Sequence, residues 1–133
     1  AKVDDTGVAA EGGIADGGAV SKAFDPSYLE KMTFGDQEQF DKILNRFLED
    51  CQDDQQQILV NLDKGDYDRV SLLLHRLAGR LSQMGSKDLA AEFRMMEIAV
   101  NETLEDDDFL TDAQHLGIRE LCDKLQRLTL SIQ

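Results

Sequence analysis

The strongest constraint on this chain is the absence of proline after residue 26: Pro26 is the only one among 133 residues. An interior proline removes a helix hydrogen bond and clashes with the preceding turn, so the whole stretch beyond it is open to long helices. The apolar residues there recur at intervals of three and four. Phe40, Ile43, Leu44, Phe47, Leu48 and Cys51 form one stripe, resumed by Ile58, Leu59 and Leu62; the polar run 52–57 between them is expected to be exposed. Val70, Leu73, Leu74, Leu77, Leu81 and Met84 form the next. Leu89, Phe93, Met96 and Val100 follow, and Leu116, Leu121, Leu125, Leu128 and Ile132 close the series. Each stripe predicts an amphipathic helix, and nowhere does strict alternation suggest a strand.

Punctuation between the stripes agrees with that reading. Asp25-Pro26 is a cap followed by a proline at the first helical position, where its missing N–H costs nothing. Asp36 and Gln39 are spaced as a capping box, as are Thr111 and Gln114. Lys64-Gly65 ends one helix, Asp66 caps the next, Gly85 ends that one, and Ser86 caps its successor. The fold expected is all-α: an antiparallel up-down-up-down four-helix bundle, crossing at about 20°, with a short extra N-terminal helix. Residues 1–23, rich in Gly, Ala and Asp, read as a flexible linker, and 24–133 as the bundle.

Net charge is −13, from 27 acidic and 14 basic residues. This argues against nucleic acid, whose phosphates need clustered Lys and Arg. From Asp68 to Arg94, however, the bases Arg69, Arg76, Arg80, Lys87 and Arg94 outnumber the acids Asp68, Asp88 and Glu92. A locally basic island on an acidic body suits an acidic surface or a phosphoryl group. No apolar run approaches the ~20 residues that span a bilayer, and no signal peptide is evident, so a cytoplasmic, monomeric domain without direct membrane contact is expected. Cys51 and Cys122, far apart and in helical registers, read as buried thiols of a reducing compartment, with a single disulfide as the alternative. The acidic turn 105–108 lacks the alternating ligands and glycine of a calcium loop. Asp112-x-x-His115 is one possible ligand pair where a di-iron bundle needs two plus extra glutamates, so no metal is assigned.

One residue on the second long helix stands apart. At about 100° per residue, His75 points about 140° away from the centre of its helix's apolar wedge. It shares that direction with Ser71, Ala78, Gly79 and Ser82, all small. A glycine inside a helix costs about 1 kcal/mol relative to alanine, so Gly79, one turn on, suggests that something approaches closely.

His75-x-Leu77-x-Gly79 followed by Gly85 resembles the signature of histidine phosphotransfer (HPt) domains. The resemblance runs from about Phe24 to Val100, and more loosely to the C-terminus. It implies a phosphorelay intermediate rather than an enzyme: His75 accepts a phosphoryl group from a receiver-domain aspartate of a response regulator and passes it to another. The domain needs no cofactor of its own, because magnesium is expected on the receiver. The resemblance also suggests the C-terminal module of a hybrid sensor kinase, tethered to a membrane-bound parent. Where the family usually has a lysine, three residues after the histidine, this chain has Ala78; Arg76 is the substitute expected, with Arg80 a weaker candidate. Gln83 matches a position that is commonly a small polar amide. Glu97 matches a place where the family hydrogen-bonds its histidine. Ser71, Leu72, Ala78 and Ser82 are expected to meet the partner, with Met84 either joining them or lying inside. The alternative is a helical adaptor that binds a receiver without accepting phosphate. The dimerisation region of a histidine kinase fits less well, since Arg76 replaces the acidic residue after the histidine and the usual proline is absent.

Overall fold

A computed structural model describes residues 25–106 and 109–132; the expected linker, Phe24 and part of the acidic turn lie outside them. Among the described residues five helices follow in order: α1 Ser27–Met32, α2 Gln37–Lys64, α3 Tyr67–Gln83, α4 Lys87–Glu105 and α5 Asp112–Ile132. Each long helix packs on the next, and α5 returns against α2 to close an antiparallel four-helix bundle. One fully buried side chain from each long helix marks the shared core: Ile58, Leu74, Phe93 and Leu125. Leu29 of α1 joins it as a plug.

Most helix ends form as their residues dictate. The Asp36 carboxylate accepts from the N–H groups of Glu38 and Gln39 at 3.0 and 3.3 Å, and Asp66 accepts from Arg69 at 3.2 Å. Thr111 and Gln114 close a reciprocal box: the Gln114 N–H donates to Thr111 Oγ1 at 3.1 Å, and the Thr111 N–H donates to Gln114 Oε1 at 2.9 Å. Gly65 and Gly85 end their helices at φ of 80° and 86°, the left-handed conformation glycine adopts without strain. Gly85 carries a second constraint, since a Cβ there would fall on the Asp25 carbonyl. Its turn must admit the backbone that leads into α1.

Four expectations are corrected. Ser86 precedes α4, but its hydroxyl makes no capping bond and is buried without a partner. Asp25 acts one residue late, with α1 beginning at Ser27, whose N–H donates to the Asp25 carboxylate at 2.9 Å; that bond holds the carboxyl below its ordinary range. Leu116 is 59% exposed, because the α5 stripe runs through Ile118, Leu121, Cys122 and Leu125, placing Leu116 on the opposite side, about 160° from Ile118. Asp54, within the supposedly exposed run 52–57, is only 5% exposed. Its partners explain that, as described below.

Both cysteines are free and buried, and burial pushes their thiols up to about 12. The thiolate is the reactive form, so neither is expected to alkylate with iodoacetamide in mildly alkaline buffer while the bundle is folded. Mass spectrometry should find two adducts after denaturation and none before; rapid native labelling of either would contradict this burial. Among the described residues no helix is long and apolar enough to cross a membrane.

Candidate functional site

His75 lies midway along α3 with 59% of its side chain exposed. The outward direction follows from the helix wheel: Val70, Leu73, Leu74, Leu77 and Leu81 are buried, and the histidine is on the far side of that wedge. The ring is nevertheless anchored. Nδ1 lies 3.0 Å from Glu97 Oε2 on α4, a carboxylate only 14% exposed. An ionised carboxylate can only accept, so this contact selects the neutral tautomer that carries its proton on Nδ1 and keeps the Nε2 lone pair free. Glu97 is thus a buttress from the neighbouring helix, and it leaves most of the ring exposed.

Around this pair the small side chains take different places. Gly79 opens onto empty space: a Cβ there would meet nothing within 4 Å. Ser82 and Gln83 are exposed farther along α3. Ser71 is engaged, its hydroxyl donating to Asn101 Oδ1 of α4. Ala78 corrects the expectation that it meets a partner, since it is 4% exposed and belongs to the core. Met84 likewise packs inside, at 6% exposure, whereas Leu72, one turn before His75, is 46% exposed. Gln83 is eight residues beyond His75, about 12 Å along the axis. It lies beyond reach of a group on the ring.

The two arginines expected to stand in for lysine are turned elsewhere. Arg80 donates to Asp54 of α2 and also to the Asp50 carbonyl at 3.4 Å. Arg76 NH2 is 3.5 Å from the other Asp54 oxygen. This two-to-one clamp accounts for the buried Asp54, because a carboxylate enters a bundle only when charge and hydrogen bonds compensate its lost hydration. The basic island is therefore divided, with Arg76 and Arg80 facing α2, and Arg94 and Lys87 facing the other side of α3. Arg94 Nε is 3.9 Å from Glu97 Oε1. Reading the sequence left Arg94 and Asn101 unconnected to Glu97 and expected Asp54 to be exposed. The first two were within its means, for residues 94, 97 and 101 lie one turn apart on a single face of α4.

His115 is tied to Tyr67: Tyr67 Oη and His115 Nε2 share a hydrogen bond of 3.1 Å, with the rings edge to face. That contact joins the start of α3 to α5. Among the described residues no group of three or more potential ligands could hold a metal ion.

The described residues thus form a helical bundle that presents one solvent-facing imidazole, steadied by a carboxylate on the next helix. The family model for the Hpt domain matches residues 42–129, and the chain belongs to that family. The match extends from within α2 into α5, so it includes His75, Gly79, Gly85 and Glu97 and takes in the last helix more fully than the motif itself did. Hpt domains carry phosphoryl groups in phosphorelays and work with receiver domains of response regulators. No curated protein and no solved structure matches the chain.

Proposed function

We propose that His75 is the phosphoacceptor, taking its group from the aspartyl-phosphate of one receiver domain and delivering it to the aspartate of another. The observation that carries this reading is the His75–Glu97 pair, an exposed ring whose Nδ1–H is held at 3.0 Å by a largely buried carboxylate. In the forward step the Nε2 lone pair attacks phosphorus in line. The N–P bond forms as the P–O bond to the receiver carboxylate breaks, and that carboxylate leaves with the bonding pair. No proton need move, because the ring keeps Nδ1–H and becomes positively charged. Glu97 offsets that charge and fixes the tautomer and ring direction. Most of the acceleration in such a transfer comes from positioning and charge stabilisation, and the magnesium belongs to the receiver's acidic site. Leu72 and Ile98, both about half exposed on α3 and α4, offer apolar contacts beside the histidine. The domain acts as a cytoplasmic monomer.

Incubation with a receiver bearing radiolabelled aspartyl-phosphate is expected to yield acid-labile label on the wild-type chain and none on His75→Gln. Equal labelling of the two, or none on either, would remove this reading. The second reading, an adaptor that docks without accepting phosphate, draws on Ala78 standing where the family has lysine. Receiver binding without label would decide for it.

A further inference from the structure

The absent lysine leaves a charge to be met. A phosphoryl group on His75 places two negative charges beside the Glu97 carboxylate, in a protein already at −13. Arg80 is hydrogen-bonded to Asp54 on the α2 side, and Arg76 is paired with the same carboxylate across 3.5 Å. On the α4 side a groove of about 820 Å³ passes Gly79 and Ala78, is floored by Ala90 and Ala91, and is bordered by Arg94 and Lys87. Because α3 and α4 run antiparallel, Arg94, one turn before Glu97, comes alongside Gly79, one turn after His75.

Arg94 is loosely held. Its Nε is 3.9 Å from Glu97 Oε1, close enough for attraction and too far for a hydrogen bond. That Glu97 oxygen is buried and makes no hydrogen bond, while the arginine side chain is 59% exposed. A guanidinium so placed can swing toward the histidine without breaking a bond, and the glycine opposite leaves the path clear. Its planar fork of donors also matches phosphoryl oxygens better than an ammonium would.

We infer that Arg94, on the helix next to the histidine's own, supplies the cation that position 78 lacks, its guanidinium donating to the phosphoryl oxygens once the group is on Nε2. This rests on His75 being the acceptor. Lys87 lies two turns farther from Glu97 and borders the groove without reaching the ring.

The test loads the full chain with potassium phosphoramidate, a small donor that needs no receiver, and follows the phosphohistidine by phosphorus NMR. Arg94→Gln is expected to hydrolyse about fivefold to tenfold faster than wild type and to shift the phosphorus resonance. Arg94→Lys should recover at least half of the lost lifetime, and Arg76→Gln should match wild type. Equal lifetimes and resonances for wild type and Arg94→Gln would overturn the inference, as would a lysine variant as impaired as the glutamine one. Failure of the wild type to load at His75 would strike the acceptor reading itself and take this inference with it, whereas a loaded wild type with an indifferent Arg94→Gln removes only Arg94.

Discussion

Gly79→Gln is expected to make the bundle more stable and the relay slower. In the free domain the substitution meets no obstacle, since a Cβ at this position has open space in front of it. Replacing glycine by glutamine inside α3 is worth about 0.5 kcal/mol, or a rise of about 2 °C in Tm for a domain of this size. The same side chain would stand one turn from His75, where the receiver must bring its aspartyl-phosphate into line with Nε2. Displacing reacting groups by even about 1 Å can cost about a hundredfold, and transfer from a phosphorylated receiver is expected to slow on that scale. Loading by phosphoramidate, which needs no docked surface, should be nearly unchanged. The contrast separates steric exclusion from damage to the histidine. Receiver transfer at the wild-type rate, with the expected gain in Tm, would show that no partner comes close at this glycine.

The second large effect falls on stability. Asp54→Ala removes the carboxylate that both Arg76 and Arg80 address from α3, leaving Arg80, itself only 24% exposed, with a single 3.4 Å bond to the Asp50 carbonyl. Breaking a buried charge pair from one side is strongly destabilising, because the remaining charge stays poorly solvated. With Arg80 still partly hydrated, we expect a loss of about 2–3 kcal/mol in urea denaturation. That corresponds to a drop of roughly 10 °C or more in Tm. Phosphohistidine lifetime, measured where the variant is folded, should be unaffected. Combining Asp54→Ala with Arg80→Ala should cost less than the two single losses added together, the signature of a direct pair. Unchanged stability in Asp54→Ala would mean that the clamp is ornamental and the arginines are free after all.

These two positions also divide what can be read from a sequence from what cannot. The place of Gly79 on the polar side of α3, four residues after the histidine, was legible from the helical period, and the open space before it agrees with that direction. The bundle, the capping box of Thr111 and Gln114, and the outward direction of His75 were legible for a related reason: they depend on a 3.6-residue period and on neighbours within a turn. Asp54 was legible only in part: three residues after Cys51 and four before Ile58, it sits in the apolar register of α2, but the guanidinium groups that let a carboxylate be buried there lie 22 and 26 residues later in the chain.

Assigning the surrogate cation shows the same division. Arg76 adjoins the histidine in sequence, yet about 100° of helix rotation turns it toward α2 and into the clamp. Arg94, 19 residues away, is carried back beside Gly79 by the α3–α4 hairpin. The chain's own order of residues determined the helices, most of their ends and the one imidazole left outside, since each follows from rotation per residue and from backbone groups that need partners. How the helices are turned against one another decided which charges meet, and with that which arginine is committed to the fold and which is left for chemistry. Interhelical rotation is set by the packing of all four apolar faces at once, and no single stretch of sequence contains it.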